Sequence, residues 1–170
     1  GDADAFGREL AERMQKFGLE LKPEKTRLLL FGRLAHSLAT ARGEKPSTFE
    51  FLGFKHVCGL DRRGKFAVIR IPAYDSCRNF LDRTHAWLKK HLHWSRRGQQ
   101  AHLTTMLRGF YQYFSLHHCE KKLSWVLHQV QLQWIRTLRR RGQRQRLFWS
   151  YLIGRAWFEL PHPKTLHPTV

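Results

Sequence analysis

Between Cys77 and Leu138 the apolar residues return every three or four positions, a spacing that leaves this stretch little to become except helix. Cys77, Leu81, Thr84, Leu88 and then His91 or Leu92 fall on one face. Leu103, Leu107, Phe110 and Phe114 form a second stripe; Leu123, Leu127, Val130, Trp134 and Leu138 form a third, longer one. Gly98 and the region 117–120 are expected to separate the three. Each stripe has to be buried, and short connections let the helices bury one another, so the spacing predicts a small bundle.

Upstream the period changes. Residues 48–57 and 65–71 are β-rich and flank a turn-forming, doubly basic tip at 58–64, which predicts a β-hairpin that Pro72 ends. Residues 4–17 read as an amphipathic helix through Phe6, Leu10, Met14 and Phe17, with Gly18 placed to stop it. Residues 27–31 read as a compact apolar strand, and 33–47, polar and punctuated by Gly and Pro, as a loop. Residues 144–158 are expected to add a fourth helix before the Pro-rich end Leu160-Pro161-His162-Pro163. The expected fold class is therefore α+β.

Charge narrows the partners. The net charge is +18, and it is regional: residues 1–50 hold 9 basic and 8 acidic side chains, 51–100 hold 11 and 3, and 101–170 hold 11 and 2. Such a field attracts polyanions without reading their sequence. On charge alone, nucleic acid and a membrane surface both fit. A 42% apolar share and six tryptophans argue for a packed core rather than a disordered basic tail. No apolar run approaches the roughly 18 residues that span a bilayer, and the first residues carry no basic and apolar leader pattern, so no membrane partner is expected. Gly1 in the first position reads as the edge of a processed or longer chain. Cys58, Cys77 and Cys119 are odd in number and far apart, which supports neither a disulfide framework nor a zinc ribbon and suits a reducing, intracellular compartment.

Catalytic and metal chemistry find little to use. His91 with His93, and His117-His118-Cys119, are the closest clusters of soft donors, and neither supplies four zinc ligands. Acidic residues after position 50 are scattered, whereas two-metal phosphoryl transfer needs them clustered. Asp2 and Asp4 form the close aspartate pair, and N-capping a helix is the role their position suits. No cofactor is expected. By contrast Arg136, Arg139, Arg140, Arg141, Arg144 and Arg146 crowd into eleven residues. Cations favour a helix C-terminus, but six arginines exceed that need and suit bidentate phosphate contacts. In Arg108-Gly109-Phe110-Tyr111-Gln112-Tyr113-Phe114, spacing commits Phe110 and Phe114 to the core. For Tyr111 and Tyr113, bundle packing and base stacking are both open.

Four stretches then appear in an order that resembles group II intron-encoded reverse transcriptases with their maturase domain. Phe17-Gly18-Leu19-Glu20-Leu21-Lys22-Pro23-Glu24-Lys25-Thr26 resembles the late palm, and Phe49-Glu50-Phe51-Leu52-Gly53-Phe54 the opening of the primer-grip hairpin. Leu107-Arg108-Gly109-Phe110-Tyr111-Gln112-Tyr113-Phe114 resembles the thumb helix, where the family often has His at the position of Phe110. Trp134, Arg139-Arg140-Arg141-Gly142-Gln143, Leu160-Pro161-His162-Pro163 and His167-Pro168 are similar to the close of the maturase domain. The family's aromatic-Ala-Asp-Asp polymerase motif is not in this sequence.

The resemblance implies the C-terminal part of such a protein. Residues 1–47 would be the end of the palm, 48–72 the primer-grip-like hairpin, 73–142 the maturase thumb bundle, and 143–170 a C-terminal helix and Pro-rich tail. It implies an RNA-directed DNA polymerase family, with this chain expected to be inactive alone and Mg2+ expected only in the full-length polymerase. Its partners would be group II intron RNA, whose splicing it would assist, and the RNA template–DNA primer duplex of the full enzyme. The setting would be a cytoplasmic ribonucleoprotein, and the first 72 residues would need the missing palm and fingers or would self-associate. On this resemblance Arg62, Arg63 and Lys65 lie near a nucleic-acid strand, and Lys89, Lys90, Arg96 and Arg97 extend the basic surface of the first thumb helix. Gly53 would let a strand approach the backbone, with a β-bulge equally open. Lys25 matches a palm lysine near the nucleotide site, with a plain surface lysine equally open. A generic basic RNA-binding protein of ribosomal type is the alternative.

Overall fold

The computed structural model describes residues 1–61, 63–141, 148–152 and 154–165. The chain divides into two compact units, Gly1–Ser47 and Thr48–Val170. The architecture is α+β, as the periodicities predict.

The first unit begins with α1 (Asp2–Lys16), which the spacing of Phe6, Leu10 and Met14 predicts, with Asp2 and Asp4 in its first turn, where negative charge suits the helix dipole. Gly18, at φ 70°, follows its end. A 3-10 turn at Pro23–Lys25 comes next. Two expectations fail in this unit. Residues 27–31 form no strand: no other segment pairs with them, and the three-stranded sheet is built entirely from the second unit. The expected loop contains α2 (Arg33–Ala41). Its Gly and Pro residues flank the segment Leu34-Ala35-His36-Ser37-Leu38-Ala39 rather than interrupting it, and Ala and Leu are strong helix formers. Only Ala35 of α2 is buried; Phe17, Leu28, Leu30 and Leu34 are exposed.

The second unit opens on a three-stranded antiparallel sheet, β1 (Phe49–Phe51), β2 (Phe54–Leu60) and β3 (Phe66–Pro72), in that order. The expected hairpin is β2–β3, with Val57 opposite Ile69. The expected first strand is divided, however. Leu52 and Gly53 both take positive φ, 49° and 73°, and make the two-residue turn that reverses β1 onto β2. β2 also runs on to Leu60, so the tip shrinks to the residues around Asp61, whose carboxylate accepts the backbone N–H groups of Arg63 (2.8 Å) and Lys65 (2.9 Å).

Three helices follow: α3 (Tyr74–Lys90), α4 (Arg96–Phe114) and α5 (Glu120–Arg139). Their predicted stripes are the core. Leu88, Leu103, Leu107, Leu123, Val130, Trp134 and Leu138 are essentially inaccessible, and each large side chain so buried contributes roughly 1.5–3 kcal/mol against chain entropy. Gly98 does not separate α3 from α4. It sits in the first turn of α4, where Ser95 caps the helix by accepting its N–H at 3.1 Å. Of the expected fourth helix, the described residues form α6 (Trp149–Leu152) and a 3-10 turn at Ala156–Phe158, while 142–147 and 153 lie outside the described residues. This last segment still completes the core. Phe158 stacks on Trp134 (centroids 5.0 Å apart), and Leu152 and Leu160 are buried. Gln100 fastens it to α4 by donating to the carbonyls of Ala156 (2.7 Å) and Glu159 (2.8 Å), and Ser115 donates to the carbonyl of Lys164.

Candidate nucleic-acid interface

Successive helices run in opposite directions, so the C-terminal ends of α3 and α5 meet the N-terminal end of α4. Gln99 marks the junction. It is fully buried, its Nε2 donates to the carbonyl of His91 at 2.8 Å, and its Oε1 accepts the indole N–H of Trp134 at 2.9 Å. Arg141 closes the same end by donating from Nη2 to the carbonyl of His93 at 3.1 Å. One buried amide and one guanidinium thus hold three helix ends together.

Cations from all three elements crowd that end. Lys89 and Lys90 are exposed in the last turn of α3. Arg97 is exposed in the first turn of α4, and half-buried Arg96 lies over the ring of Trp157 at 4.7 Å. Arg136, Arg139 and Arg140 are exposed on the last turns of α5, ahead of Arg141. The C-terminal dipoles of α3 and α5 offset part of this charge. Thirteen acidic residues in the whole chain are too few to neutralise 31 basic ones, so the surface favours an external polyanion.

Other sequence candidates lie elsewhere. Arg63 and Lys65 are exposed at the β2–β3 tip, and Arg108 is exposed midway along α4. Lys25 is exposed at the end of its 3-10 turn in the first unit. Arg62, Arg144 and Arg146 lie outside the described residues, as do His167 and Pro168.

Two candidates are corrected. Tyr111 is 4% exposed inside the bundle core, so its face is not open to a base. Burial holds its phenol well above the ordinary value, and its hydroxyl has no partner among the described residues. Gly53 makes a close approach within the protein itself. A Cβ there would stand 2.9 Å from Ser76 Oγ and 3.5 Å from Phe114 Cζ, and its carbonyl accepts from Ala73 N–H (2.8 Å) and Ser76 Oγ (3.1 Å). Tyr113 remains about half exposed, and its hydroxyl donates to Leu52 O at 2.9 Å, tying α4 to the β1–β2 turn.

Sequence reasoning missed Gln99 and Trp94. A polar residue on an apolar stripe was the available signal for the first, and a tryptophan between two basic pairs for the second. Among the described residues, no three His, Cys, Asp or Glu side chains gather as metal donors. Among them, too, no helix is long and apolar enough to cross a membrane. No family model, no curated protein and no solved structure matches this chain.

Proposed function

We propose that this chain binds structured RNA through the cationic end of its bundle, as the thumb and maturase part of a group II intron reverse transcriptase. It would help intron RNA fold for splicing and, beside a polymerase palm, grip the template–primer duplex. The observation that carries the reading is the convergence of Lys89, Lys90, Arg97, Arg139 and Arg140 from three helices onto one end, fixed by Gln99 and Arg141. The order of sheet and then bundle supports it, being the order the resemblance implies.

The mechanism is one of positioning. Folding RNA brings phosphates together, and each phosphate met by a fixed cation releases a counterion and relieves repulsion. Guanidinium groups do this with directional, paired hydrogen bonds, so they hold a particular strand geometry rather than a diffuse charge cloud. The splicing chemistry would belong to the RNA.

Binding of intron RNA measured against salt tests the reading. Converting Arg139, Arg140 and Arg141 to Ala is expected to weaken binding by tenfold or more (roughly 0.5–1 kcal/mol per lost contact) and to impair assisted splicing. Equal affinity for any polyanion, with splicing untouched by the triple change, would instead favour a generic basic protein. Primer extension by the purified chain is expected to yield no DNA; synthesis without added protein would overturn the assignment as an inactive part.

A further inference from the structure

We infer that the connection between α3 and α4 carries a stacking site for an unpaired nucleobase, with the indole of Trp94 as its platform. The inference rests on the RNA-binding reading above and names the part of the RNA that this surface would take.

Trp94 is 49% exposed, although its ring is among the most apolar surfaces a protein can bury. Trp134 is fully buried, Trp87, Trp149 and Trp157 are half-buried, and the exposed Trp125 has the Lys122 ammonium over its ring at 4.7 Å. The exposed ring of Trp94 is nonetheless held firmly. It meets Trp87 (centroids 5.5 Å, planes at 86°) and His91 (4.6 Å, 76°) edge to face. It also rests against the first turn of α4, where a Cβ on Gly98 would come within 3.5 Å of its Cε3.

The backbone beneath it is pinned as well. Trp94 N–H donates to His91 O at 3.1 Å, Gln99 to the same carbonyl at 2.8 Å, and Arg141 to His93 O at 3.1 Å. A platform so fixed loses little freedom on binding.

The surroundings choose the partner. Exposed Lys90 and Arg97 stand within four residues on either side, and Arg141 is bonded to the preceding residue. A flat π-face in a stretch of chain this rich in cations matches a base flanked by its own phosphates. The base must be unpaired, because duplex bases already spend both faces on their neighbours. A lipid surface would ask for further exposed apolar side chains beside the ring, and here the exposed residues flanking it, Lys90, His93, Ser95 and Arg97, are polar or charged.

The test compares two RNAs sharing one stem, one blunt and one with a single-stranded extension, bound to the full chain. Trp94→Ala is expected to weaken binding of the extended RNA by about tenfold and to leave the blunt stem unchanged. Trp94→Leu, which keeps apolar volume against Trp87 but has no π-face, should behave like Trp94→Ala, whereas Trp94→Phe should keep most of the affinity. Trp125→Ala should change neither RNA. Wild-type binding of both RNAs with equal losses on both, or losses on neither, overturns the stacking site and leaves RNA binding standing. Failure of the wild-type chain to bind either RNA sinks the underlying reading. Loss of binding to phosphatidylserine vesicles in Trp94→Ala, with both RNA affinities intact, assigns the ring to lipid and overturns the proposal.

Discussion

Gln99 is a residue whose replacement should be felt at two helices beyond its own. Replacing it by Leu keeps the volume but leaves the indole N–H of Trp134 buried without its acceptor, so unfolding in urea should show a loss of about 1–3 kcal/mol. Adding Trp134→Phe should cost less than the two separate losses combined, by about 1 kcal/mol, because both act on one hydrogen bond. Tyr111→Phe should go the other way, neutral or up to about 1 kcal/mol stabilising, since it removes a buried hydroxyl without a partner among the described residues. Tyr111, Cys77 and Cys119 also share a pH signature. Burial raises all three pKa values, although Lys122 beside Cys77 pulls that thiol partly back. Groups held protonated in the fold contribute stability that is complete below the unfolded values, about 8.5 for a thiol and 10 for a phenol. That stability is lost as pH climbs through the raised folded values. The urea midpoint should therefore fall between pH 8 and pH 11; a flat profile across that range would refute the burial argument.

At the scale of elements, α1 has no buried residue and α5 has eight. Amide exchange should accordingly be fast along Asp2–Lys16 and slowest along Glu120–Arg139; comparable protection in both would contradict this picture. The same contrast explains what was legible in the sequence. The bundle could be read because Leu88, Leu107, Val130 and Trp134 are buried by neighbours inside the chain, so spacing and packing agree. The β2–β3 pair could be read because its basic, Gly-containing tip breaks two β-rich runs. The β1–β2 turn was hidden, since Phe51-Leu52-Gly53-Phe54 looks like one apolar run until Gly53 is seen packed against Ser76 and Phe114. α2 was hidden by the Gly and Pro residues around it. For the candidate site, cations show plainly in a sequence, but their convergence does not. It depends on which helix ends meet, and that is settled by a glutamine amide no periodicity singles out.

For the molecule as a whole, salt is the informative variable. Residues 1–50 are nearly balanced in charge and residues 51–170 carry almost all of the net +18. If Arg139, Arg140 and Arg141 each meet a phosphate, changing all three to Ala should reduce the slope of log affinity against log salt by about 2–3; an unchanged slope would place the RNA elsewhere. Trp94→Ala should leave that slope alone, so charge and stacking are separable in one set of titrations. The clasp of the final segment on α4 also sets an order in time. Trp157 and Phe158 pack on Trp134 only after more than twenty further residues of chain have followed it. During synthesis, then, a nascent bundle complete through α5 would carry an open aromatic wall. The last part of the core would close only when the segment fastened by Gln100 and Ser115 has left the ribosome, which makes this bundle one that finishes folding late.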